Sequence, residues 1–251
     1  MYSLKISLLG CLFMLNACEN SNEEYAIEIN SINKIMPLGA SRVQGARPYY
    51  ESFRYALWKD LIQNEWSFDF IGTQSDLGSY PDYNSYNFDI DHEGRGGWTS
   101  GLILNGLSNW LNETGPPDIV LFSAPGGNDI LNGLDYDQTL LNINAIIDLL
   151  QADNSNVTIL IEQIAPGRTD FMTPEYTAIF NQSREDVLNL ASLQSTENSE
   201  VIVVDMATGF TDIFLADEIH YNEAGAEFIA NRYYEALVGV LEKKSTLNQR
   251  I

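Results

Sequence analysis

Apolar and polar residues are arranged along this chain in two alternating rhythms. Short runs at Ile35–Leu38, Asp118–Ser123, Val157–Gln163 and Glu200–Asp205 are rich in apolar residues and bounded by turn formers, which predicts buried strands. Trp66–Gly72 (WSFDFIG) alternates apolar and polar residues and predicts a further strand. Between these runs the apolar positions recur at helical spacing. The segment Tyr49–Asn64 carries Phe53, Ala56, Leu57, Asp60 and Leu61 in that rhythm, and Ser100–Leu111, Asp137–Ala152, Pro174–Leu193 and Ala224–Glu242 show it too. Strands alternating with helices predict a parallel sheet covered by helices on both faces, a three-layer α/β/α architecture. In such sheets ligands bind beyond the carboxyl ends of the strands. One stretch, Thr73–Gly97, is rich in Gly, Asp, Asn and Tyr, lacks either rhythm, and is expected to be a long irregular loop.

The chemistry begins where the first apolar run stops. In Lys34-Ile-Met-Pro-Leu-Gly-Ala-Ser-Arg-Val-Gln-Gly45 a glycine ends the strand, and Ser41 stands at the strand-to-helix junction. A hydroxyl there is exposed at a strand's carboxyl end, and the free amides of the following turn point the same way, ready to donate to an oxyanion. This suits a nucleophile in acyl transfer; an ordinary loop with a serine N-cap has the same look. Arg42, directly after it, either pairs with acids across a cleft or faces solvent.

Composition bears on the setting. The 251 residues are 45% hydrophobic, enough for one substantial core. Met1–Ala17 differs from the rest: Lys5, an apolar run from Ile6 to Leu15, then Leu15-Asn-Ala-Cys18, which reads as a secretory signal ending in a lipobox-like site with Cys18 as the lipid acceptor. A simple cleaved signal is the alternative. The run falls short of the roughly 20 apolar residues that span a bilayer. Residues 18–32 are acidic and polar and read as a tether, 33–243 as the folded domain, and 244–251 as a polar tail. Cys18-Glu-Asn-Ser-Asn-Glu-Glu24 resembles the acidic stretch that directs some Gram-negative lipoproteins to the cell surface. The expectation is an exported protein, lipid-anchored at the outer membrane or cell surface, or else periplasmic or secreted.

Both cysteines lie in this leader, so the body holds no internal disulfide and no cysteine metal site. The formal charge of −22 becomes −23 once residues 1–17, with Lys5 and no acid, are removed. Such a surface repels nucleic acid and anionic lipid, which leaves membrane contact to the anchor alone.

Only two histidines occur. A serine nucleophile needs a base that titrates near neutrality, and imidazole is the usual one. His220 has Asp217 three residues before it, a spacing that lets a carboxylate orient the ring. His92 has Asp91 and Glu93 beside it, whose side chains point away in extended structure, and is expected to shape the pocket rim as a loop residue.

Taken in order, Gly39-Ala-Ser41 with Gly45, then Gly97, then Gly126-Gly-Asn128-Asp129, then Asp217-Glu-Ile-His220 resemble the four blocks of the SGNH (GDSL-type) hydrolase superfamily. Met36-Pro-Leu-Gly, Phe70-Ile-Gly-Thr-Gln, His92-Glu-Gly with Gly97-Trp-Thr, and Pro117-Asp-Ile-Val look most like its family three carbohydrate esterases, which deacetylate xylan. The resemblance spans roughly Lys34 to Leu241. It implies a flavodoxin-like five-stranded parallel sheet, Ser41 as nucleophile, and His220 as base oriented by Asp217. It also implies an oxyanion hole built from the N–H groups of Ser41 and Gly97 and the amide of Asn128. Arg42, His92, Arg95, Trp98 and Asp129 are candidate substrate contacts. No cofactor or metal is implied. The family's usual acid before the serine is Ala40 here, which removes a hydrogen-bonding contribution from the turn.

The leading expectation is a serine esterase that removes O-acetyl groups from an oligo- or polysaccharide, with Tyr80, Tyr83, Tyr86 and Trp98 offering faces for sugars or simply packing. A short-chain lipid, lysophospholipid or thioester esterase is the alternative within enzymes. A glycan-binding surface lipoprotein without turnover is the alternative outside them.

Overall fold

A computed structural model describes residues 32–242. The expected signal, most of the tether and the tail lie outside these residues. The elements run β1 (Lys34–Gly39), α1 (Ser41–Gln44), α2 (Arg54–Gln63), β2 (Asp69–Phe70), β3 (Gln74–Ser75), β4 (Asp91–Gly94), α3 (Ser100–Thr114), β5 (Ile119–Phe122), α4 (Gly127–Leu131), α5 (Tyr136–Asp153), β6 (Thr158–Gln163), α6 (Pro174–Gln194), β7 (Val201–Asp205), a 3-10 turn (Asp212–Phe214) and α7 (Glu223–Leu237).

Five strands pair in parallel in the order β4-β1-β5-β6-β7, the three-layer arrangement of SGNH hydrolases. Two pieces are added to the expected five. The two-residue β2 pairs in parallel with the start of β1, and the two-residue β3 runs antiparallel to β4, so the sheet is mixed. The first strand of the chain is therefore an inner one. On one side of it β5 pairs along Ile35–Leu38, and on the other β2 and β4 share its edge. This division accommodates Pro37. The carbonyls of Ile35 and Gly39 face the shared edge, accepting from the N–H groups of Ile71 and Arg95. Pro37, in phase with them, turns its missing donor into the gap between β2 and β4, where a ladder bond is not required.

Both faces of the sheet are covered, which is why its strands read as apolar runs and not as alternating ones. Ile35, Leu121 and Leu160 point to α2 and α7, where Leu57, Ile229 and Tyr233 meet them. Met36, Val120 and Ile159 point to α3, α5 and α6, where Leu107, Ile146 and Leu190 close the other layer. Among the described residues no helix is long and apolar enough to cross a membrane.

One expectation of the fold needs correction. Residues 73–97 are not wholly irregular, for they contain β4, a strand of the main sheet. Its sequence, Asp-His-Glu-Gly, conceals it, because its buried side chains are polar and satisfied internally. Glu93 accepts from the N–H and hydroxyl of Thr73 and from Arg95. Beyond β5, Gly126 at φ +71° caps α4, so Asn128 and Asp129 stand in the first turn of that helix.

Candidate active site

The carboxyl ends of the strands converge on Ser41. The residue opens α1, whose four residues hold two bonds to the Ala40 carbonyl, from Val43 and Gln44. The N–H of Ser41 itself has no partner among the described residues and stays free to donate. The turn has little room to move. Gly94, at the end of β4, packs so close that a Cβ there would lie 2.5 Å from the Gln44 nitrogen.

Two buried arginines clamp this turn from opposite sides. Arg42 reaches under the site, donating from Nε to the Ile219 carbonyl at 2.9 Å and from Nη1 to the Ala165 carbonyl at 3.0 Å, with its guanidinium 4.8 Å from the Tyr221 ring centre. It neither pairs with acids across a cleft nor faces solvent: it is a strut joining the Ser41 turn to the loop that carries His220, and it also lines the pocket beside Ser41. On the other side Arg54, fully buried, donates to the carbonyls of Val43 and Gln44 and pairs with Asp76, which also receives the Tyr80 hydroxyl.

Asp217, Ile219 and His220 belong to the loop after β7. Asp217 Oδ1 accepts from the N–H groups of Ile219 and His220 at 2.9 and 2.7 Å, and Oδ2 lies 2.7 Å from His220 Nδ1. Partial burial pushes the Asp217 carboxyl up, but those two amides and the imidazole outweigh it and hold the group below the usual carboxylate range. An ionised carboxylate only accepts, so Nδ1 carries the proton and Nε2 of the neutral ring is left as an acceptor. Ser41 Oγ lies 2.9 Å from that Nε2. Tyr50 stacks flat on the same imidazole, ring centres 3.9 Å apart and 14° from parallel.

A tight turn lies beside the serine, where a Cβ on Gly96 would be 3.9 Å from the Ser41 Cβ. Arg95–Trp98 form a tight turn in which the Trp98 N–H donates to the Arg95 carbonyl and Gly97 takes φ +76°, a value that favours glycine. A Cβ on Gly97 would meet nothing within 4 Å, so backbone conformation and not crowding calls for glycine there. Gln44 braces the turn by accepting from the Gly96 N–H at 2.7 Å. Asn128 donates to the Trp98 carbonyl at 2.8 Å, which ties the start of α4 to that turn. Ser41 and Asn128 share a pocket of about 30 Å³ with Leu131, Ile164, Phe180 and Ile219 as its apolar lining.

The remaining expected contacts divide. Trp98 lies beside the site, its ring tilted 45° against that of Trp110 with centres 5.6 Å apart. Arg95 is held by Glu93 and Thr73 and lies over the rings of Trp98 and Trp110, so it is bracing for the Gly97 turn, not a free substrate ligand. Asp129 is buried and accepts from the N–H and hydroxyl of Ser100, fastening α4 to the start of α3; it is corrected to a structural residue. His92 is likewise corrected from loop to strand. It is buried in β4, its Nδ1 accepts from the Gly94 N–H, and burial with Arg54 and Arg95 nearby pushes it down to about 2. Sequence reasoning missed Tyr50, Gln44, Arg54 and the fully buried Glu162, which accepts from the Ala124 N–H and the Tyr233 hydroxyl. Of these only Gln44 lay in a stretch already singled out.

With this geometry in view, comparison with known proteins is informative. Residues 43–228 match the model of the GDSL-like Lipase/Acylhydrolase family. The chain belongs to this family. The hydrolase matches no curated protein sequence. Among solved structures it resembles an acetyl esterase crystallised as a serine-to-alanine mutant with an acetate ion, at 26% identity and a TM-score of 0.72 over 83% of this chain and 97% of that one. A carbohydrate esterase of family 3 from Talaromyces cellulolyticus matches with the same identity, score and coverage. The Clostridium thermocellum family 3 carbohydrate esterase is 28% identical, with a TM-score of 0.67 over 83% of this chain and 96% of that one. The chain is thus an ester hydrolase with the SGNH fold.

Proposed function

We propose that this hydrolase removes O-acetyl groups from carbohydrate through Ser41, His220 and Asp217. The observation that carries the reading is the unbroken line from Asp217 through His220 to Ser41, which opens onto a small pocket lined mainly by apolar side chains. The Leu131, Ile164, Phe180 and Ile219 side chains of that lining favour a short acyl group over a long chain. Ser41 Oγ attacks the acetyl carbonyl carbon while its proton passes to His220 Nε2. The Ser41 and Gly97 N–H groups and the Asn128 amide receive the oxyanion, and the sugar alcohol leaves with the proton from Nε2. Water, deprotonated by the same nitrogen, then releases acetate. Asp217, held ionised, keeps Nδ1 protonated throughout and stabilises the imidazolium. Similarity to family 3 carbohydrate esterases supports carbohydrate as the alcohol partner.

The test is acetate release from acetylated xylan and a panel of other acetylated glycans, wild type against Ser41→Ala. Release by the wild type alone is expected. Preference for long-chain or lysophospholipid esters would replace the reading with a lipid esterase, and glycan binding without release would replace it with a binding protein. Tethering at Cys18 belongs to the same proposal and is checked by incorporation of labelled fatty acid, which Cys18→Ser should abolish.

A further inference from the structure

The line from Asp217 to Ser41 leaves one freedom of the imidazole unaccounted for. Its two bonds, at Nδ1 and Nε2, lie in the ring plane and leave rotation about the line joining them weakly restrained. The face of the ring is where Tyr50 lies, 3.9 Å away and nearly parallel. This contact is built in. The Tyr50 backbone exchanges two hydrogen bonds with Ala46, and the next residue, Glu51, donates its N–H to the carbonyl of Tyr221, the neighbour of His220. The two rings are therefore carried by paired backbone segments, one leading from the nucleophile turn and the other from the base loop. Tyr50 is half-buried, and its phenol is pushed upward by burial and then by Asp217, so the ring facing the imidazole is neutral.

We infer that Tyr50 is a positioning residue of this hydrolase: its ring face holds the His220 imidazole in the plane of Ser41 and Asp217 and favours the imidazolium formed as Ser41 attacks. The inference rests on the Ser41–His220 reading above. The negative face of an aromatic ring attracts a cation far more than the neutral ring that precedes it. The contact is accordingly stronger in the transition state than in the ground state, and such interactions raise kcat and leave KM alone. A flat neighbour also lets Nε2 slide in its own plane from Ser41 Oγ toward the leaving oxygen while resisting tilt.

The experiment compares Tyr50→Phe, Tyr50→Trp and Tyr50→Leu with wild type on an aryl acetate across pH 5–8. Phe and Trp, which keep a ring face, should retain kcat within about threefold. Leu, which fills space without one, should lower kcat by about 3- to 30-fold at little change in KM, and should shift the acid limb of the kcat/KM profile to lower pH because the protonated ring has lost support. Independently of turnover, the wild-type protein should show the carbon-bound imidazole protons of His220 moved upfield by the Tyr50 ring, a shift kept in Tyr50→Phe; with only two histidines the assignment is direct. Equal kcat in the Leu and Phe variants with an unmoved acid limb would overturn the inference, as would an unshifted His220 in the wild type. Ser41→Ala in the same assay separates the two readings. If it abolishes turnover while Tyr50→Leu changes nothing, only Tyr50 is misjudged, whereas turnover surviving in Ser41→Ala overturns the Ser41 reading and this inference with it.

Discussion

Replacing Arg42 tests whether the Ser41 turn and the His220 loop are held as one body. Arg42→Met keeps the stem length and removes the guanidinium. Two well-formed bonds disappear, to the carbonyls of Ile219 and Ala165, together with the stack on Tyr221; the third contact, at 3.5 Å to Pro166, is too long to count for much. A hydrogen bond from a charged donor contributes about 1.5–3 kcal/mol, and the cation over the ring adds about 0.5–2 kcal/mol. Removing the donor also lifts its own desolvation cost, so the lower ends of these ranges apply, and a loss of about 3–4 kcal/mol is expected. Urea unfolding at neutral pH with an unchanged m-value measures it. Because Ile219 directly precedes His220, kcat/KM at a temperature where the variant stays folded should fall as well, through kcat more than KM. Arg42→Lys, a single ammonium unable to reach both carbonyls, should fall between the two. A loss below 1 kcal/mol with kcat unchanged would refute the clamp.

Three further outcomes follow from the same geometry. His92→Asn keeps an acceptor for the Gly94 N–H but removes a group that is held at about 2 in the fold against an ordinary 6.5. The unfolded wild type takes up a proton that the native state refuses, so the native state's advantage from His92 is whole above pH 6.5 and shrinks as pH falls. Relative to the variant, the wild type should lose about 1.4 kcal/mol per pH unit once well below 6.5, or about 2.3 kcal/mol between 6.5 and 4.5. Asp89, pushed up to about 6 by burial, works in the opposite sense as it protonates, but it is common to both proteins and cancels; parallel stability curves would count against a buried neutral His92. Asn128→Ala should lower kcat by about 10²–10³ with little change in stability, while Asp129→Ala, which orphans the buried Ser100 amide and hydroxyl, should cost about 3 kcal/mol of stability with kcat much less affected; a reversal of the two would exchange their roles. On aryl esters, kcat/KM should drop steeply from acetate to butyrate, because each methylene must displace Leu131, Ile164, Phe180 or Ile219 at about 1–3 kcal/mol; a maximum at hexanoate would mean an open acyl groove.

The parts of the molecule that could be read from sequence are those where residue type and local rhythm coincide. Ile119–Phe122 and Ile159–Ile161 sit between two helical layers, so their strands are uninterrupted apolar runs, and the helices that cover them show the matching period. The Asp217–His220 turn was legible for a similar reason: its partners are three residues apart. What escaped notice are long-range polar contacts. β4 buries a histidine and a glutamate instead of aliphatic residues, and only the neighbouring Thr73, Arg95 and Gly94 groups make that tolerable. Arg42, His92 and Asp129 looked available to a ligand because they are polar and close to the motifs. In the structure Arg42 donates to backbone carbonyls, His92 Nδ1 accepts from the Gly94 N–H, and Asp129 accepts from Ser100 at the start of α3. Tyr50 could not have been found, since its partner lies at the far end of the chain.

That separation bears on how the enzyme comes into being. Ser41 and His220 stand 179 positions apart, and the strand that carries the serine lies inside the sheet, with later strands on both of its edges. A chain emerging from the ribosome therefore exposes its Ser41 turn long before His220 exists. No form that stops short of the loop after β7 holds both Ser41 and His220. In refolding, recovered ester hydrolysis should report the closing contact and not the assembly of the sheet, and it should trail any signal from the backbone.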